Sequence, residues 1–304
     1  MDTTAAIRGL WCATLTPQDA RGAVDHARLA AHVRGLFAQG VEGVAPFGTT
    51  GEFPSFSAPE RMHGLEALLA AGIPAARVVP GTGCAAFADA VTLTRHALRS
   101  GCPRCLIVPP FFYKDLSDEA VYTYYARLID AVGDAALRIY LYHIPQFSGV
   151  PIRPDVVLRL ATAFPGVIAG VKDSSGDYRN SQALLARVPH LSILVGHEPH
   201  LPQFMREGGA GTICGIANVY PAIVGALLQP RVSVAAEARI AAFVAILFQY
   251  PFLPAFKAIR AAQTGEPEWN TVRPPWLPLD AARRTRLLGE LSEAGLLATA
   301  EVAS

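Results

Sequence analysis

Short apolar runs alternate with longer amphipathic stretches at a steady interval, and this alternation narrows the possible folds more than any other feature of the chain. The runs fall at 9–15, 43–46, 77–80, 104–108, 137–142, 167–171, 191–195 and 211–214. Each is followed by a stretch with helical spacing of its apolar residues, at 26–38, 59–71, 85–99, 118–131, 154–163, 178–188, 200–206 and 220–228. Helix starts carry the residues that satisfy free N–H groups, as in Ser57-Ala58-Pro59-Glu60 and Ser117-Asp118-Glu119. Gly40, Gly72 and Gly101 stand where left-handed caps end helices. Eight such units in roughly 225 residues is the arithmetic of a (β/α)8 (TIM) barrel, an α/β fold closed on itself. The expected barrel spans 1–230. The remainder, 231–304, reads as a C-terminal helical extension packed on it, with helices at 234–262 and 279–298 around the Pro-rich stretch 265–278.

Composition excludes several classes. The chain has 304 residues, 51% of them apolar and 17% charged, ample for a core and against disorder. The low charge also favours buried subunit contacts. A net charge of +1 argues against nucleic acid or a membrane surface as partner. The N-terminal residues lack the pattern of a signal peptide, and the longest apolar run, 241–248, is too short to span a bilayer. A cytoplasmic protein is expected. The five cysteines are an odd set and mostly lie within apolar runs, so they read as buried thiols. Cys102 and Cys105 have redox-motif spacing, but they lead into a strand and not a helix.

In a barrel of this kind the chemistry sits on loops at the C-terminal ends of the strands. Residues 167–171 are all small or apolar, and Lys172 follows at the strand's end, before the polar loop Asp173-Ser174-Ser175-Gly176. The chain has three lysines, Lys114, Lys172 and Lys257, so arginine supplies 23 of its 26 basic residues. Arginine hardly loses its proton, whereas a desolvated lysine amine can become a nucleophile toward a carbonyl. The plainer alternative is a strand-end lysine reaching to solvent. Tyr142 ends the neighbouring strand at an equivalent level and can serve as a proton carrier. Gly48-Thr49-Thr50-Gly51 offers hydroxyls and backbone N–H groups as a small anion nest, or is an ordinary βα turn. An amine attacking a 2-oxo acid needs all three: a dry site, a proton carrier and a carboxylate pocket.

Together these residues resemble a known family. The runs 43–52, 142–145 and 170–174, with Gly81-Thr82-Gly83 and 211–218, are similar to the signatures of the dihydrodipicolinate synthase/N-acetylneuraminate lyase family, over essentially the whole chain. The family consists of (β/α)8 class I aldolases and lyases, commonly dimers of dimers. The resemblance implies that Lys172 forms a Schiff base with pyruvate or another 2-oxo acid, without cofactor or metal. Tyr142 would shuttle protons, and Thr50 would link it to solvent or a partner subunit. Thr49, Thr50 and Gly48 would hold the carboxylate, and the backbone at Ile213 would line the site.

Two positions depart from the synthase pattern. A tyrosine that reaches across the dimer in the synthase aligns with Phe112, beside Tyr113, and a phenyl ring carries no proton. The synthase arginine that holds the carboxylate of its amino-aldehyde aligns with Phe147, within Phe147-Ser148-Gly149-Val150, which is closer to the lyase branch. The expected reaction is therefore aldol or retro-aldol chemistry between a 2-oxo acid and a less charged or more apolar aldehyde. Alternatives are a sugar-acid dehydratase using the same imine, a true 4-hydroxy-tetrahydrodipicolinate synthase despite the missing arginine, and a catalytically silent 2-oxo-acid-binding paralogue. A nicotinamide enzyme is disfavoured, because Gly81-Thr82-Gly83 lacks the acidic residue needed about 20 positions on. His197-Glu198-Pro199-His200 fits no metal-ligand spacing and reads as loop surface. Lys257 reads as a structural residue of the extension.

Overall fold

Caps and turn residues lay out the helices much as their sequence positions require. The structure, a computed structural model, describes residues 6–297. Its strands are β1 (Gly9–Cys12), β2 (Gly43–Val44), β3 (Arg104–Ile107), β4 (Arg138–His143), β5 (Ile168–Asp173), β6 (Ser192–Val195) and β7 (Gly211–Cys214). Between and after them run α1 (His26–Ala38), α2 (Ala58–Ala70), α3 (Phe87–Arg99), α4 (Asp118–Val132), α5 (Pro145–Ser148) and α6 (Pro154–Ala163). The rest are α7 (Tyr178–Arg187), α8 (Leu201–Arg206), α9 (Pro221–Leu227), α10 (Val234–Leu247), α11 (Phe252–Thr264) and α12 (Ala281–Glu293). Ser57 opens α2 with a reciprocal capping box: its hydroxyl accepts from the Glu60 N–H, and the Glu60 carboxylate accepts from the Ser57 N–H. Gly40, Gly72 and Gly101 all take positive φ just past helix ends.

All strand pairs are parallel, in the order β2-β1-β7-β6-β5-β4-β3. The third run, expected as a strand at 77–80, makes no strand; two isolated bridges, Val44↔Val78 and Gly81↔Leu106, lie in it and just after it. Pro80 supplies no N–H to extend a ladder there. The gap is still closed on both sides: Val79 donates to Val44 O (2.8 Å) and Leu106 to Pro80 O (3.0 Å). Gly81 is the crossing point, since a Cβ on it would lie 2.2 Å from the Phe47 carbonyl oxygen.

Strand side chains divide by parity. Ile139, Leu141, Val171, Ile193 and Val195 join the apolar layer between barrel and helices. Tyr140, Tyr142, Leu194 and Ile213 belong to a second cluster inside the barrel, with Trp11, Phe47 and Leu106. Each fully buried large apolar side chain in these layers contributes about 1.5–3 kcal/mol.

The extension differs from the expected single helix over 234–262. It breaks into α10 and α11, bent by 116°, and Pro251 sits at the junction. No single helix among the described residues is long and apolar enough to cross a membrane. The expected last helix is observed as α12, capped by Asp280; residue 298 lies outside the described residues.

One buried ion pair ties the extension to the barrel. Lys257 Nζ lies 2.5 Å from Glu52 Oε1, with both side chains fully buried, and donates to Thr271 O (2.6 Å). Glu52 also accepts from Gln18 Nε2 (2.8 Å) and the Arg273 N–H (2.9 Å). Burial holds the Lys257 ammonium below its usual range, and Glu52 pulls it back up. Truncating one partner strands the other in the core. Lys257→Ala should therefore lose about 3–5 kcal/mol in chemical denaturation, and pairing Lys257→Met with Glu52→Gln should restore part of it. A Lys257→Ala variant as stable as the native chain would show the pair to be dispensable.

Candidate active site

The inward row of β4 and β5 sets the geometry of the site. In register, Tyr140 stands opposite Gly170 and Tyr142 opposite Lys172. Gly170 is required by the layer below: a Cβ there would lie 2.6 Å from the Tyr140 ring and 2.3 Å from Ser192 O. The Tyr140 hydroxyl in turn accepts from the Ile7 N–H (2.9 Å), closing the barrel floor. Above this packed layer Lys172 is 3% exposed and Tyr142 4%. The Lys172 Nζ sits 4.2 Å from the centroid of the Tyr142 ring.

The loop 48–51 is clamped between two residues of positive φ, Phe47 (54°) and Glu52 (58°). Such backbone is costly for a bulky phenylalanine and persists only where the surroundings hold it. Here the Phe47 ring packs against Gly64 of α2, and Glu52 is fixed by Lys257. Within the turn, successive threonines point apart. Thr49 Oγ1 lies 3.2 Å from the Tyr142 hydroxyl. Thr50 lines the cavity on the β7 side, where a Cβ on Gly215 would lie 3.2 Å from its Oγ1. The hydroxyl expected from Thr50 at the Tyr142 phenol is thus supplied by its neighbour. Gly48 differs too. It lines a small space beneath the site, with Phe47, Phe53 and Tyr142, and not the main cavity.

That main cavity holds about 340 Å³ and is lined by Lys172, Tyr142, Thr49, Thr50 and Ile213, together with residues from the following loops and the extension. The loop after Lys172 is held by Asp173, a buried carboxylate that accepts from the Ser175 N–H (3.0 Å) and hydroxyl (2.7 Å), Asn180 Nδ2 (2.8 Å) and the Ser181 hydroxyl (2.8 Å). Gln146 Nε2 donates to Ser174 O (2.6 Å), binding the β4 and β5 loops together. Phe147 lines the cavity, its ring edge-to-face with Phe252 at 5.7 Å. Phe112 and Tyr113 are more than 70% exposed, pack on each other, and are not among the lining residues.

Two contributions were not anticipated. Glu198, expected on the loop surface, is 6% exposed and faces into the cavity, and its Oε1 accepts from the Ile216 N–H (3.4 Å). Burial pushes its carboxyl up to about 7. The second is an apolar wall from the extension, made of Val244, Leu247, Phe248, Phe252 and Phe256. Part of its signal was present in the sequence, since Phe252 and Phe256, four residues apart, share one face of α11.

Comparison with known proteins agrees with this architecture. The model of the dihydrodipicolinate synthetase family matches residues 6–294. An uncharacterised DapA-like lyase of Chloroflexus aurantiacus is 36% identical over 277 residues, 90% of this chain and 92% of the relative. The solved structure of dihydrodipicolinate synthase from Agrobacterium tumefaciens superposes with a TM-score of 0.88 at 34% identity, covering 94% of this chain and 99% of that one. The chloride-inhibited dihydrodipicolinate synthase from Acinetobacter baumannii, solved in complex with pyruvate, gives 0.82 at 26% identity, covering 96% and 100%.

The Glu198 carboxyl makes stability depend on pH in a definite direction. The native state keeps its proton up to about pH 7, while the unfolded chain releases it near 4.5. Its contribution is therefore complete below about 4.5 and is lost as pH rises through about 7. Relative to Glu198→Gln, the native chain should lose on the order of 3 kcal/mol across that window, measured by urea unfolding at stepped pH. Parallel stability curves for the two proteins would contradict the assignment.

Proposed function

This chain belongs to the dihydrodipicolinate synthetase family of class I lyases and aldolases, and we propose that it makes or breaks a carbon–carbon bond between pyruvate, or a related 2-oxo acid, and an aldehyde. The observation that carries the reading is the buried Lys172 amine set against the Tyr142 ring, with the Tyr142 hydroxyl within reach of Thr49. Among the described residues, Lys172 is the only lysine lining the cavity. The pyruvate complex of the Acinetobacter relative supports the same substrate.

In this reading the Lys172 Nζ attacks the keto carbon of pyruvate. The Tyr142 phenol passes a proton to the carbinolamine oxygen, which leaves as water, and the imine remains on Lys172. The Thr49 hydroxyl holds the Tyr142 hydroxyl in position for that transfer. Thr49 and Thr50, the two turn residues that line the cavity, bind the carboxylate, with the Ile213 backbone as the opposite wall. The Tyr142 phenolate left by that transfer takes a methyl proton, giving an enamine whose carbon attacks the aldehyde. The aldehyde oxygen takes a proton, and water returns to release the product. Phe147 brings no charge to a carboxylated partner, which disfavours the lysine-biosynthetic aldehyde. Kinship further points to a homotetramer of tight dimers and a cytoplasmic location.

Borohydride reduction in the presence of pyruvate should add the mass of the reduced adduct to the peptide carrying Lys172. Lys172→Arg should lose adduct and turnover while keeping its circular dichroism spectrum. Tyr142→Phe should lower kcat by about 10²–10⁴. An adduct on Lys257 or Lys114, or none with any 2-oxo acid, would sink the reading.

A further inference from the structure

We infer that the part of the cavity formed by the extension selects an uncharged aromatic aldehyde as the carbon–carbon bonding partner, an inference that rests on Lys172 as the imine-forming residue. The extension and the β4 loop supply an apolar wall of Phe147, Val244, Leu247, Phe248, Phe252 and Phe256, while Gln146, Ser174, Ser175, His197 and Glu198 are the polar side chains of the remaining lining. Phe147 is 53% exposed and Phe248 70%, two of the few large apolar side chains left open to solvent among the described residues. Both stand at the one cavity that holds the reactive amine. A phenyl ring at such a position keeps apolar surface in water until a ligand covers it.

The rings are also ordered in a way that favours another ring. Phe252 makes edge-to-face contacts with Phe147 (5.7 Å), Trp276 (5.5 Å) and Phe256 (6.5 Å). An arene entering from the mouth extends this arrangement, whereas an alkyl chain gains only burial. Charge points the same way. Among the lining residues Lys172 is the sole lysine or arginine, and the imine consumes it. Glu198 is the sole carboxyl, and burial lowers the pKa of His197, which leaves that ring neutral near pH 7. A second carboxylate would lose its water here and find no guanidinium. The volume of about 340 Å³ lies at the low end of the roughly 300–1,000 Å³ usual for small-molecule sites, enough for a keto acid and one ring.

The step balances without another reactant. The enamine carbon of pyruvate bonds to the aldehyde carbon, and the carbonyl electron pair moves to oxygen, which takes a proton from Tyr142. Water then cleaves the imine and frees a 4-aryl-4-hydroxy-2-oxo acid containing every atom of pyruvate and aldehyde.

The test supplies the full chain with pyruvate and, in parallel, benzaldehyde, hexanal or succinic semialdehyde, and measures the condensed product by mass spectrometry. Benzaldehyde should exceed both competitors in kcat/KM by about tenfold or more, and Phe147→Arg should shift the ranking toward succinic semialdehyde. Equal or better turnover of succinic semialdehyde overturns the inference, and so does hexanal matching benzaldehyde, since the wall would then be merely apolar. Exchange of pyruvate methyl protons in heavy water, read in the same samples, separates the layers of the argument. Exchange without benzaldehyde product overturns the inference and leaves the lyase reading standing. Absence of exchange together with absence of a borohydride adduct overturns the lyase reading and the inference with it.

Discussion

Everything at the site depends on the register between β4 and β5. Side chains alternate across a strand, so a shift of one residue would turn Lys172 out toward the helices and bring Val171 or Asp173 inward. The register is fixed from below, where Gly170 makes room for the Tyr140 ring and Tyr140 reaches the Ile7 N–H. It is fixed from outside by Val171, which packs in the apolar layer, and by Asp173, whose carboxylate is spent on two donors of the following loop and two on α7. The amine and the phenol therefore meet because the positions around them have no other arrangement that buries so much and leaves so little unpaired.

The hydroxyl loop is held by a different device. Phe47 and Glu52 both adopt backbone that their side chains disfavour, and each is held by a buried contact, Phe47 against Gly64 and Glu52 with Lys257. A buried ion pair is weak evidence for net stability, because desolvation offsets much of the attraction. Its value here is positional. Glu52 joins Gln18, Lys257 and Arg273, so the β1 loop, the hydroxyl loop and the extension share one carboxylate. The extension, which carries the apolar wall, is thereby referenced to the same point as the threonines.

Much of the barrel was legible because its signals are local. Capping residues at 57 and 117, glycines at 40, 72 and 101, and apolar runs at regular intervals each report on a few neighbouring residues. What escaped depended on contacts far apart in the chain or on direction. Residues 77–80 have the composition of a strand, yet Pro80 restricts them to bridges. Adjacent threonines look interchangeable until the turn between Phe47 and Glu52 sends Thr49 to Tyr142 and Thr50 toward β7. Glu198 lies in a stretch with the polarity of surface loop, and only the placing of Ile216 beside it makes it a buried carboxyl. The helix break at Pro251 follows from proline chemistry, but the 116° turn that delivers Phe252 and Phe256 to the cavity does not.

The two halves of the cavity are built by different parts of the chain, and this bears on how specificity is set. The amine, phenol and threonines come from strand ends and their first loops, where backbone geometry is shared across (β/α)8 barrels. The wall comes largely from α10 and α11, beyond the barrel, with Phe147 as its contribution from the β4 loop. A change in the wall leaves the register of β4 and β5 untouched, because Phe248 and Phe147 are exposed and carry no part of the inner packing. The keto-acid half is over-determined by its surroundings and the partner half is not. In this architecture the choice of aldehyde can drift while the imine chemistry stays fixed, so the residues most informative about the reaction and those most informative about the substrate occupy separate stretches of sequence.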